Sequence, residues 1–337
     1  MRAAVFCGVE DIQVREVPKP VIGAGEILVR VQYGGICGGD MSIYAGKHPR
    51  AKAPLVPGHE VIGRIEEIGS AVRGNWKQGS RVVLYPVIAC GKCAPCREGN
   101  NYVCETLRVV GIDRDGGFAE YVKVEPDKLI PIPDTISDEE AAVIEPLAVC
   151  VHAVENSAFR AGDTALVIGG GPIGNLLAQV LRASGARDVV VSEVKPYRRA
   201  LAARLGFPVI DPSVESVNEG LERIVGWRFV DTVFEATGFG GAYKDALQAC
   251  KVRGHVSFVG IPKSVPEVDV LTIVFKEIFT SSARMYKVRD YMGAIALLSR
   301  RAINVAPLIE RMPLNEAPAG FHKMKAADTS LKVLLVP

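Results

Sequence analysis

Four cysteines spaced C-x2-C-x2-C-x7-C between Cys90 and Cys104 restrict the fold of this chain more than any other feature. Four thiolates in so short a loop can complete a tetrahedral zinc shell with no open position, which is the structural type of zinc site. Disulfide bonds and an iron–sulfur cluster are the alternatives, and the spacing together with a reducing compartment favours zinc over both. We therefore predict a structural zinc bound by Cys90, Cys93, Cys96 and Cys104.

The bulk properties of the chain exclude several classes of protein. Its 337 residues are enough for two domains, and a net charge of +2 gives no reason to expect nucleic acid or an anionic membrane as partner. The N-terminal stretch reaches Glu10 and Asp11 before an apolar segment can form, so no signal peptide is expected. The longest uncharged stretch, 164–181, contains glycines and polar residues that make a membrane span unfavourable. We expect a cytoplasmic protein that acts on a small molecule.

Two patterns of hydrophobicity divide the chain. Up to about residue 135, short alternating runs separated by glycine and proline predict a β-rich barrel or sandwich. From about residue 160, strands such as TALVIG (164–169) and DVVVSE (188–193) alternate with helical stripes. This alternation predicts an α/β unit with a doubly wound parallel sheet. One more helix over 290–300 and a final strand-like run follow.

A glycine-rich turn follows the first strand of the α/β part and precedes an amphipathic helix. Its glycines let a pyrophosphate approach the backbone, and the helix N-terminus offers amide donors. The predicted contacts are Gly169, Gly171, Pro172, Ile173 and Gly174. Glu193 ends the next strand, where it can accept a hydrogen bond from a ribose hydroxyl, which favours NAD. Lys195, Arg198 and Arg199 follow it, so NADP is not excluded.

Four other residues, two acids, a histidine and a cysteine, are candidate functional residues, although no local spacing joins them. Cys37 lies in a glycine-rich turn, His59 and Glu60 follow a proline-rich loop, and Glu145 lies within an apolar segment. Burying a carboxylate such as Glu145 is unfavourable unless it is paired or bound to metal. Each residue also has an ordinary interpretation as a buried cysteine, a loop histidine or a helix-entry acid.

Longer motifs resemble one enzyme family. GHEVIGRIEEIGSAV, over 58–72, resembles the zinc motif G-H-E-x2-G-x5-G-x2-V of the medium-chain dehydrogenase/reductase superfamily. Similarity continues along the chain in GICGGD, the four-cysteine loop, DGGFAEY, IEPLAVCVHA, GGGPIG and LKVLLVP. Together these motifs resemble its zinc-dependent polyol, threonine and sugar-acid branch, whose members include sorbitol dehydrogenase, threonine 3-dehydrogenase and galactonate 5-dehydrogenase.

The resemblance implies a GroES-like catalytic domain over 1–147, completed by 285–337, and a Rossmann domain over 148–284. The active site is expected in the cleft between them, beyond the carboxyl ends of the parallel strands. Similar bacterial enzymes are homodimers or homotetramers, and one of these states is expected here.

The resemblance also implies a catalytic zinc in addition to the structural one. Its ligands would be Cys37, His59 and a carboxylate from either Glu60 or Glu145. Such a zinc binds the substrate hydroxyl as a Lewis acid, so that the alkoxide can expel hydride to the nicotinamide. The family pattern further places Arg198 beside the adenosine, and Thr237, Val259 and Ser282 along the nicotinamide path.

One departure from the family pattern concerns the relay that carries the proton of the substrate alcohol out of the site. The usual motif after the zinc cysteine has a hydroxyl residue and, three residues later, often a histidine, where this chain has Gly39 and Ser42. The customary relay is therefore absent. The remaining candidate proton carriers are Glu60, Glu145, Ser42, Tyr44 and His48.

The loop SIYAGKHPRAK is more basic than a site for a neutral polyol requires. Lys47, His48 and Arg50 are either solvated surface or include an anchor for a substrate carboxylate. Arg284 lies where the branch often has an arginine near the substrate, and an ion pair at a domain hinge is its alternative role.

The sequence thus predicts a zinc-dependent, NAD(P)-dependent dehydrogenase of a polyol, a sugar acid or a related polyhydroxylated metabolite. The alternative is a non-catalytic dinucleotide sensor that keeps the fold and the structural zinc. Only Gly39 favours the sensor. The retained residues of the candidate catalytic site argue against it, namely Cys37, His59, Glu60 and Glu145.

Overall fold

A computed structural model describes residues 1–326 and 330–337 of the chain. The chain forms two compact units. The first consists of Met1–Glu145 with Leu308–Pro337, and the second of Pro146–Pro307. None of the helices in the described ranges is both long enough and apolar enough to cross a membrane.

The regular elements follow one another along both units. The strands, in chain order, are β1 (Arg2–Gly8), β2 (Asp11–Glu16), β3 (Ile27–Gly35), β4 (Glu60–Ile68), β5 (Arg81–Leu84), β6 (Val87–Ile88), β7 (Arg108–Val109), β8 (Tyr121–Val124), β9 (Leu129–Pro131), β10 (Thr164–Ile168), β11 (Asp188–Ser192), β12 (Val209–Ile210), β13 (Val230–Glu235), β14 (Cys250–Phe258), β15 (Phe279–Ser282), β16 (Ile309–Pro313) and β17 (Lys332–Val336). The helices are α1 (Gly38–Tyr44), α2 (Ala94–Arg97), α3 (Asp138–Ala141), α4 (Ile144–Glu155), α5 (Pro172–Ala183), α6 (Pro196–Arg204), α7 (Val217–Val225), α8 (Gly240–Ala249), α9 (Val270–Lys276), α10 (Val288–Ser299) and α11 (Ala317–Ala326).

The first unit is built on a seven-stranded, mostly antiparallel sheet. Six strands run in the order β16-β17-β3-β4-β5-β9, and β8 also pairs with β3. Alternate residues of β3 and β4, including Val29, Val61 and Ile65, enter one apolar cluster, as the period of a strand requires. A second cluster forms around Phe118 and Phe321, whose rings meet edge to face with centroids 6.0 Å apart. This cluster also anchors α1, the helix that begins directly after Cys37.

The second unit confirms the predicted parallel sheet. Its strand order is β12-β11-β10-β13-β14-β15, with every neighbouring pair parallel. This is the strand order of a Rossmann fold. The chain builds the sheet outward on one side of its first strand, β10, and then continues on the other side, while all strands stay parallel. All five residues of β10 are buried, because helices cover both faces of such a sheet.

The structure adds elements that no sequence pattern indicated, among them α7, α9 and β15. It also places α10 in the second unit, so the return to the first unit comes at Leu308, after the position of 285 expected from the resemblance. A buried contact explains this placement. The Nδ1 atom of His152, on α4, lies 2.8 Å from Oδ2 of Asp290, on α10.

Candidate zinc and dinucleotide sites

The four-cysteine loop has the dimensions of a closed zinc shell. The sulfurs of Cys90 and Cys96 are 4.0 Å apart, and those of Cys93 and Cys104 are 3.8 Å apart. Zinc–sulfur bonds of about 2.3 Å in a tetrahedron place the sulfurs about 3.8 Å from one another. A disulfide needs a sulfur separation of about 2 Å, and all four cysteines are free thiols. The geometry therefore fits a single zinc ion with four thiolate ligands.

Backbone amides prepare this loop for negative charge. The amides of Lys92 and Cys93 each donate to the Cys90 sulfur over 3.4 Å, and these bonds lower the pKa of the Cys90 thiol to about 6. The amide of Cys90 donates in turn to the Cys104 sulfur over 3.3 Å. Thiolates, not thiols, bind zinc, so the backbone itself favours the ligand form.

The pairing of β3 with β4 brings Cys37 and His59 together. Gly35, the last residue of β3, lies opposite Glu60, the first residue of β4. The residues just outside this pair are therefore neighbours, and the Cys37 sulfur lies 3.0 Å from Nε2 of His59. The sulfur also caps α1 by accepting the amide of Gly39 over 3.1 Å, which fixes its direction.

A third residue of this centre, Asp40, is not predicted from the sequence. It is fully buried, and its Oδ2 accepts the backbone amide of Cys37 over 2.9 Å. Its Oδ1 lies 3.5 Å from Nδ1 of His59, and neither of these two buried atoms has a hydrogen-bond partner. Because Nε2 faces Cys37, Asp40 lies on the opposite side of the imidazole. A carboxylate at that position orients a metal-binding histidine and selects its tautomer.

The donor set of this centre fits a bound cation. Burial raises the pKa of the Cys37 thiol, so the thiol stays protonated unless a positive charge lies close to it. A zinc ion supplies that charge and deprotonates a coordinating thiol outright. Among the described residues, one group of possible metal ligands consists of half-buried Cys37 with buried Asp40 and His59, and the other is the four-cysteine loop.

The two candidates for the single carboxylate ligand, Glu60 and Glu145, lie in a buried ionic cluster beside this centre. Glu60 is 2% exposed and Lys332, on β17, is 3% exposed. The Lys332 ammonium contacts both oxygens of Glu60, one of them at 2.6 Å, and donates to the Ile36 carbonyl over 3.2 Å. Burial raises the pKa of Glu60 to about 7, although Lys332 opposes the rise, and Glu145 adds to it. Lys332 was not predicted, yet a lone lysine inside the apolar run SLKVLLVP is a visible signal of a buried cation.

Three of the candidate proton carriers, Ser42, Tyr44 and His48, lie on α1 and in the loop after it. A side-chain carbon at Gly39 would lie 3.3 Å from the Cys37 sulfur and 3.5 Å from Cε1 of His59, so this position faces the centre. Ser42 is half-buried. Tyr44 is buried, and its hydroxyl lies 2.9 Å from Nε2 of His322. His48 is half-buried, and its Nδ1 accepts the amides of Arg50 and Ala51.

The basic residues of the expected substrate loop differ in their surroundings. Arg50 forms a two-pronged ion pair with Asp113 at 2.8 and 3.0 Å, which occupies its guanidinium. Lys47, in the same loop, is exposed. Arg284, in the second unit, is also exposed.

The glycine-rich turn of the second unit has the geometry of a phosphate site. Gly169 has φ +105°, which a side chain would oppose. A side-chain carbon at Gly174 would lie 1.7 Å from the Gly169 carbonyl oxygen, so only glycine allows α5 to start this close to β10. Gly171 caps α5 without any side-chain hydrogen bond, and Pro172 follows it. The first amides of α5 therefore point outward as donors for an anion.

Glu193 lies beside this turn at the carboxyl end of β11. Its side chain is 5% exposed and accepts the amides of Gly170 over 2.7 Å and Lys195 over 2.8 Å. Arg198 Nη1 lies 3.8 Å from the same carboxylate, and its buried Nε has no partner. Arg199 is instead paired with Asp211 at 2.7 Å. Arg198 therefore faces the Glu193 carboxylate, whereas the guanidinium of Arg199 also donates to the Glu193 backbone carbonyl over 3.2 Å.

Two of the residues expected along the nicotinamide path, Thr237 and Val259, contact a buried acid that the sequence did not reveal. Glu235, at the end of β13, is completely buried and accepts the amides of Thr237 over 2.6 Å and Gly238 over 3.0 Å. Its carbonyl accepts the amide of Val259 over 2.8 Å. Glu235 thus fixes the loop after β13 to the end of β14. Ser282 is exposed at the end of β15.

A closed four-cysteine zinc shell, a Cys–His–Asp centre and a Rossmann unit define the class of zinc- and dinucleotide-dependent dehydrogenases. Two family models match the chain, the alcohol dehydrogenase GroES-like domain over residues 23–134 and the zinc-binding dehydrogenase over 172–300. The chain belongs to the zinc-binding dehydrogenase family. The fold class and the two zincs predicted from the sequence are thereby confirmed.

Three similar proteins illustrate the range of this family. A 2-dehydro-3-deoxy-L-galactonate 5-dehydrogenase from Pseudoalteromonas atlantica is 34% identical over 99% of this chain and 98% of its own length. An L-threonine 3-dehydrogenase from Yersinia pestis is 32% identical over 96% of both chains. A protein from Sinorhizobium meliloti 1021, described as a zinc-binding dehydrogenase and solved with NADP, is 35% identical with a TM-score of 0.92, covering 100% of this chain and 99% of its own.

Proposed function

We propose that this enzyme oxidises a secondary alcohol of a sugar acid, or reduces the matching ketone, with a nicotinamide cofactor. The observation that carries the proposal is the pair formed by Cys37 and His59, 3.0 Å apart at the N-terminus of α1. The same pair argues against the alternative of a non-catalytic sensor, which has no need of a second metal centre. We further propose that the protein is a cytoplasmic homodimer or homotetramer.

In this proposal Cys37 and His59 would hold a zinc, and Glu60 or Glu145 would supply the remaining protein ligand. When bound, the zinc acts as a Lewis acid that lowers the pKa of the substrate hydroxyl. Asp40 holds the imidazole of His59 in the tautomer whose Nε2 can bind metal. Lys332 holds Glu60 in place and balances its charge.

The proton released from the alcohol needs a carrier in this chain. Glu60, Glu145, Ser42, Tyr44 and His48 are the candidates. The Tyr44 hydroxyl is engaged with His322, which disfavours it. Burial, reinforced by Arg50, lowers the pKa of His48, so His48 is neutral near pH 7 and can accept a proton. We propose that Ser42 and His48 carry the proton outward.

The choice of a sugar acid as substrate rests on the negative charge of its carboxylate and on the basic residues of this chain. The substrates named for the two curated relatives, a galactonate derivative and threonine, both carry a carboxylate. Lys47 is exposed, whereas Arg50 is already paired with Asp113. Lys47 is therefore the better candidate for the residue that binds the substrate carboxylate. Arg284 is a second candidate anchor.

We expect a hexonate to be oxidised with at least tenfold higher kcat/KM than the hexitol of the same configuration. One charge-assisted hydrogen bond to the carboxylate is worth about 1.5–3 kcal/mol, which is a factor of ten or more. The measurement is NAD⁺ and NADP⁺ reduction over a panel of aldonates, alditols and amino alcohols. Lys47→Gln should raise KM for the hexonate, whereas Lys52→Gln, an exposed neighbour, should not. Equal efficiency on hexonate and hexitol would remove the carboxylate from the proposal.

Glu193 is proposed to favour NAD over NADP, because its carboxylate repels a 2′-phosphate and accepts from the 2′-hydroxyl. Glu193→Gln should therefore raise the ratio of kcat/KM for NADP⁺ to that for NAD⁺ by at least tenfold, with Arg198 then free to face the phosphate. The control is Glu222→Gln on the surface of α7, which should leave the ratio unchanged. An unchanged ratio in Glu193→Gln would show that Arg198, not Glu193, sets the preference.

A further inference from the structure

Helix α5, which follows the glycine-rich turn, carries two fully buried polar side chains. Asn175 and Gln179 have no exposed surface and lie four positions apart, so they are neighbours on the same side of the helix. A buried amide is unfavourable unless its hydrogen bonds are made, so the partners of these two side chains indicate what each residue does. The other buried side chains of the helix are apolar, namely Leu176, Leu177, Ala178, Val180 and Leu181.

The side chain of Asn175 reaches back to the glycine-rich turn. Its Nδ2 atom donates to the Gly170 carbonyl over 2.6 Å and to the Gly171 carbonyl over 3.2 Å. The Gly171 carbonyl also accepts the backbone amide of Asn175 over 3.0 Å, which is the first bond of the helical ladder. Gly170 precedes the N-cap of the helix, so its carbonyl lies outside that ladder. The side chain of Asn175 is therefore what holds the Gly170 carbonyl inward.

The direction of the Gly170 carbonyl determines the direction of the next amide. Because the C=O and N–H groups of a trans peptide point in opposite directions, the Gly171 amide is turned away from Asn175. The amides of the two preceding residues are already used within the unit. One donates to the Ser192 carbonyl over 2.8 Å and the other to the Glu193 carboxylate over 2.7 Å. The Gly171 amide is thus the one that this turn directs outward, as a donor for an anion.

A guanidinium lies beside the same glycine. A side-chain carbon at Gly171 would have Nη1 of Arg198 as its nearest neighbour, at 3.7 Å. Pro172, which follows Gly171, has no amide hydrogen, so the next donors are the amides of Ile173 and Gly174 in the first turn of α5. The Gly171 amide therefore lies between a cation and the helix N-terminus, where its direction matters for a bound phosphate.

Stability does not account for an asparagine at this position. Its Oδ1 atom is buried, and within the described ranges it has no hydrogen-bond partner. An unpaired buried acceptor is unfavourable, and leucine fills the next two positions of the same helix. The favourable polar contacts of the Asn175 side chain are those that its Nδ2 atom makes with the turn.

Gln179 is a buried amide of the same helix with a different set of partners. Its Nε2 atom donates to the Asn304 carbonyl over 3.3 Å and to the Asn175 carbonyl over 3.4 Å, and its Oε1 atom accepts the Asn304 amide over 2.7 Å. Both ends of this amide are bonded, and they connect α5 to the segment after α10. Gln179 therefore supports the packing of the unit without contacting the turn, which makes it a matched control for Asn175.

We propose that Asn175 is a positioning residue for the dinucleotide. It holds the Gly170 carbonyl inward and thereby directs the Gly171 amide at a phosphate of the cofactor. The residue lies directly after the last glycine of the motif G-x-G-x-x-G, so the motif itself gives it no role. The inference rests on the dinucleotide binding that the proposed function requires, and it adds the side chain that prepares the turn for it.

The test is the affinity of the purified, zinc-loaded protein for NADH or NADPH, whichever binds more tightly, measured by cofactor fluorescence. Asn175→Leu keeps the size of the side chain but removes its donor. It should raise Kd at least about tenfold, because a hydrogen bond to a charged phosphate is misdirected. Gln179→Leu removes an equally buried amide and should leave Kd within about twofold of the wild type. Thermal midpoints without cofactor and two zincs per chain verify that both variants fold.

Two further ligands separate positioning from general damage to the unit. ADP-ribose, which contains the pyrophosphate, should lose as much affinity for Asn175→Leu as the cofactor does. Adenosine, which has no phosphate, should displace the cofactor from this variant and from the wild type with the same Kd within about twofold. Equal weakening of adenosine and ADP-ribose would assign Asn175 a merely structural role.

The remaining outcomes distinguish this inference from the proposed function. A wild type that binds neither cofactor would overturn dinucleotide binding itself. A wild type that binds, together with an unchanged Kd in Asn175→Leu, would overturn only the role of Asn175. If the leucine variant does not fold, Asn175→Ser provides the same test. A serine hydroxyl in a helix bonds the carbonyl four residues back, that of Gly171, and leaves the Gly170 carbonyl without its donor, so the same loss is expected.

Discussion

Replacing Cys37 by serine will reduce the zinc content from two ions per chain to one and lower kcat by at least about 1,000-fold. The loss follows from the role of the metal, because Lewis-acid stabilisation of the alkoxide supplies several kcal/mol, and each 1.4 kcal/mol is about a factor of ten. Zinc is counted by atomic emission, and turnover is followed by NADH absorbance with the best substrate of the panel.

The control for this substitution is Cys7→Ser. Cys7 is a half-buried free cysteine on β1, and its replacement should keep both zincs and full turnover. If Cys37→Ser kept two zincs per chain, Cys37 would not be a ligand. If it lost one zinc but kept its turnover, the Cys37–His59 centre would not be catalytic.

Replacing Lys332 by methionine will destabilise the first unit by about 3–5 kcal/mol, because it leaves the buried carboxylate of Glu60 without its counter-ion. The measurement is the shift of the thermal midpoint at fixed zinc and protein concentration, since bound metal and association both move that midpoint. The second change Glu60→Gln, made in the same chain, should recover most of the loss because it removes the uncompensated charge.

Lys325→Met provides the comparison for this experiment. Lys325 pairs with Glu10, and both side chains are at least half exposed, so losing this pair should change stability by less than about 1 kcal/mol. A Lys332→Met variant as stable as Lys325→Met would mean that Glu60 is protonated or hydrated in the folded protein. Failure of Glu60→Gln to rescue would instead assign the loss to packing of the lysine stem.

Features that depend on local spacing could be predicted from the sequence. The four cysteines lie within one loop, and Gly169 and Gly174 lie within one turn, so their partners are only a few positions away. The strands of the parallel sheet are also locally encoded, because residues buried on both faces form continuous apolar runs such as TALVI.

Features that depend on distant contacts could not be predicted in the same way. Asp40 acquires its role only because the pairing of Gly35 with Glu60 brings His59 beside α1. Glu60 and Lys332 are 272 positions apart, so neither residue indicates its partner. Cys37 and His59 were identified by resemblance, since no spacing rule connects residues that meet through strand register.

Helix α9 was missed for another physical reason. A helix with apolar residues on both its inner and outer sides has no contrast between faces, so the period of 3.6 residues is not visible.

The discontinuity of the first unit has a consequence for how the protein is made. During synthesis the strands β3 and β4 leave the ribosome long before β17, which supplies a strand to their sheet and the ammonium for Glu60. Until then the nascent sheet has an open position next to β3 and an acid that cannot be buried as an anion. The second unit, whose chain is continuous from 146 to 307, can fold in that interval. We therefore expect the second unit to complete its fold before the sheet of the first unit, which needs β17 as a strand.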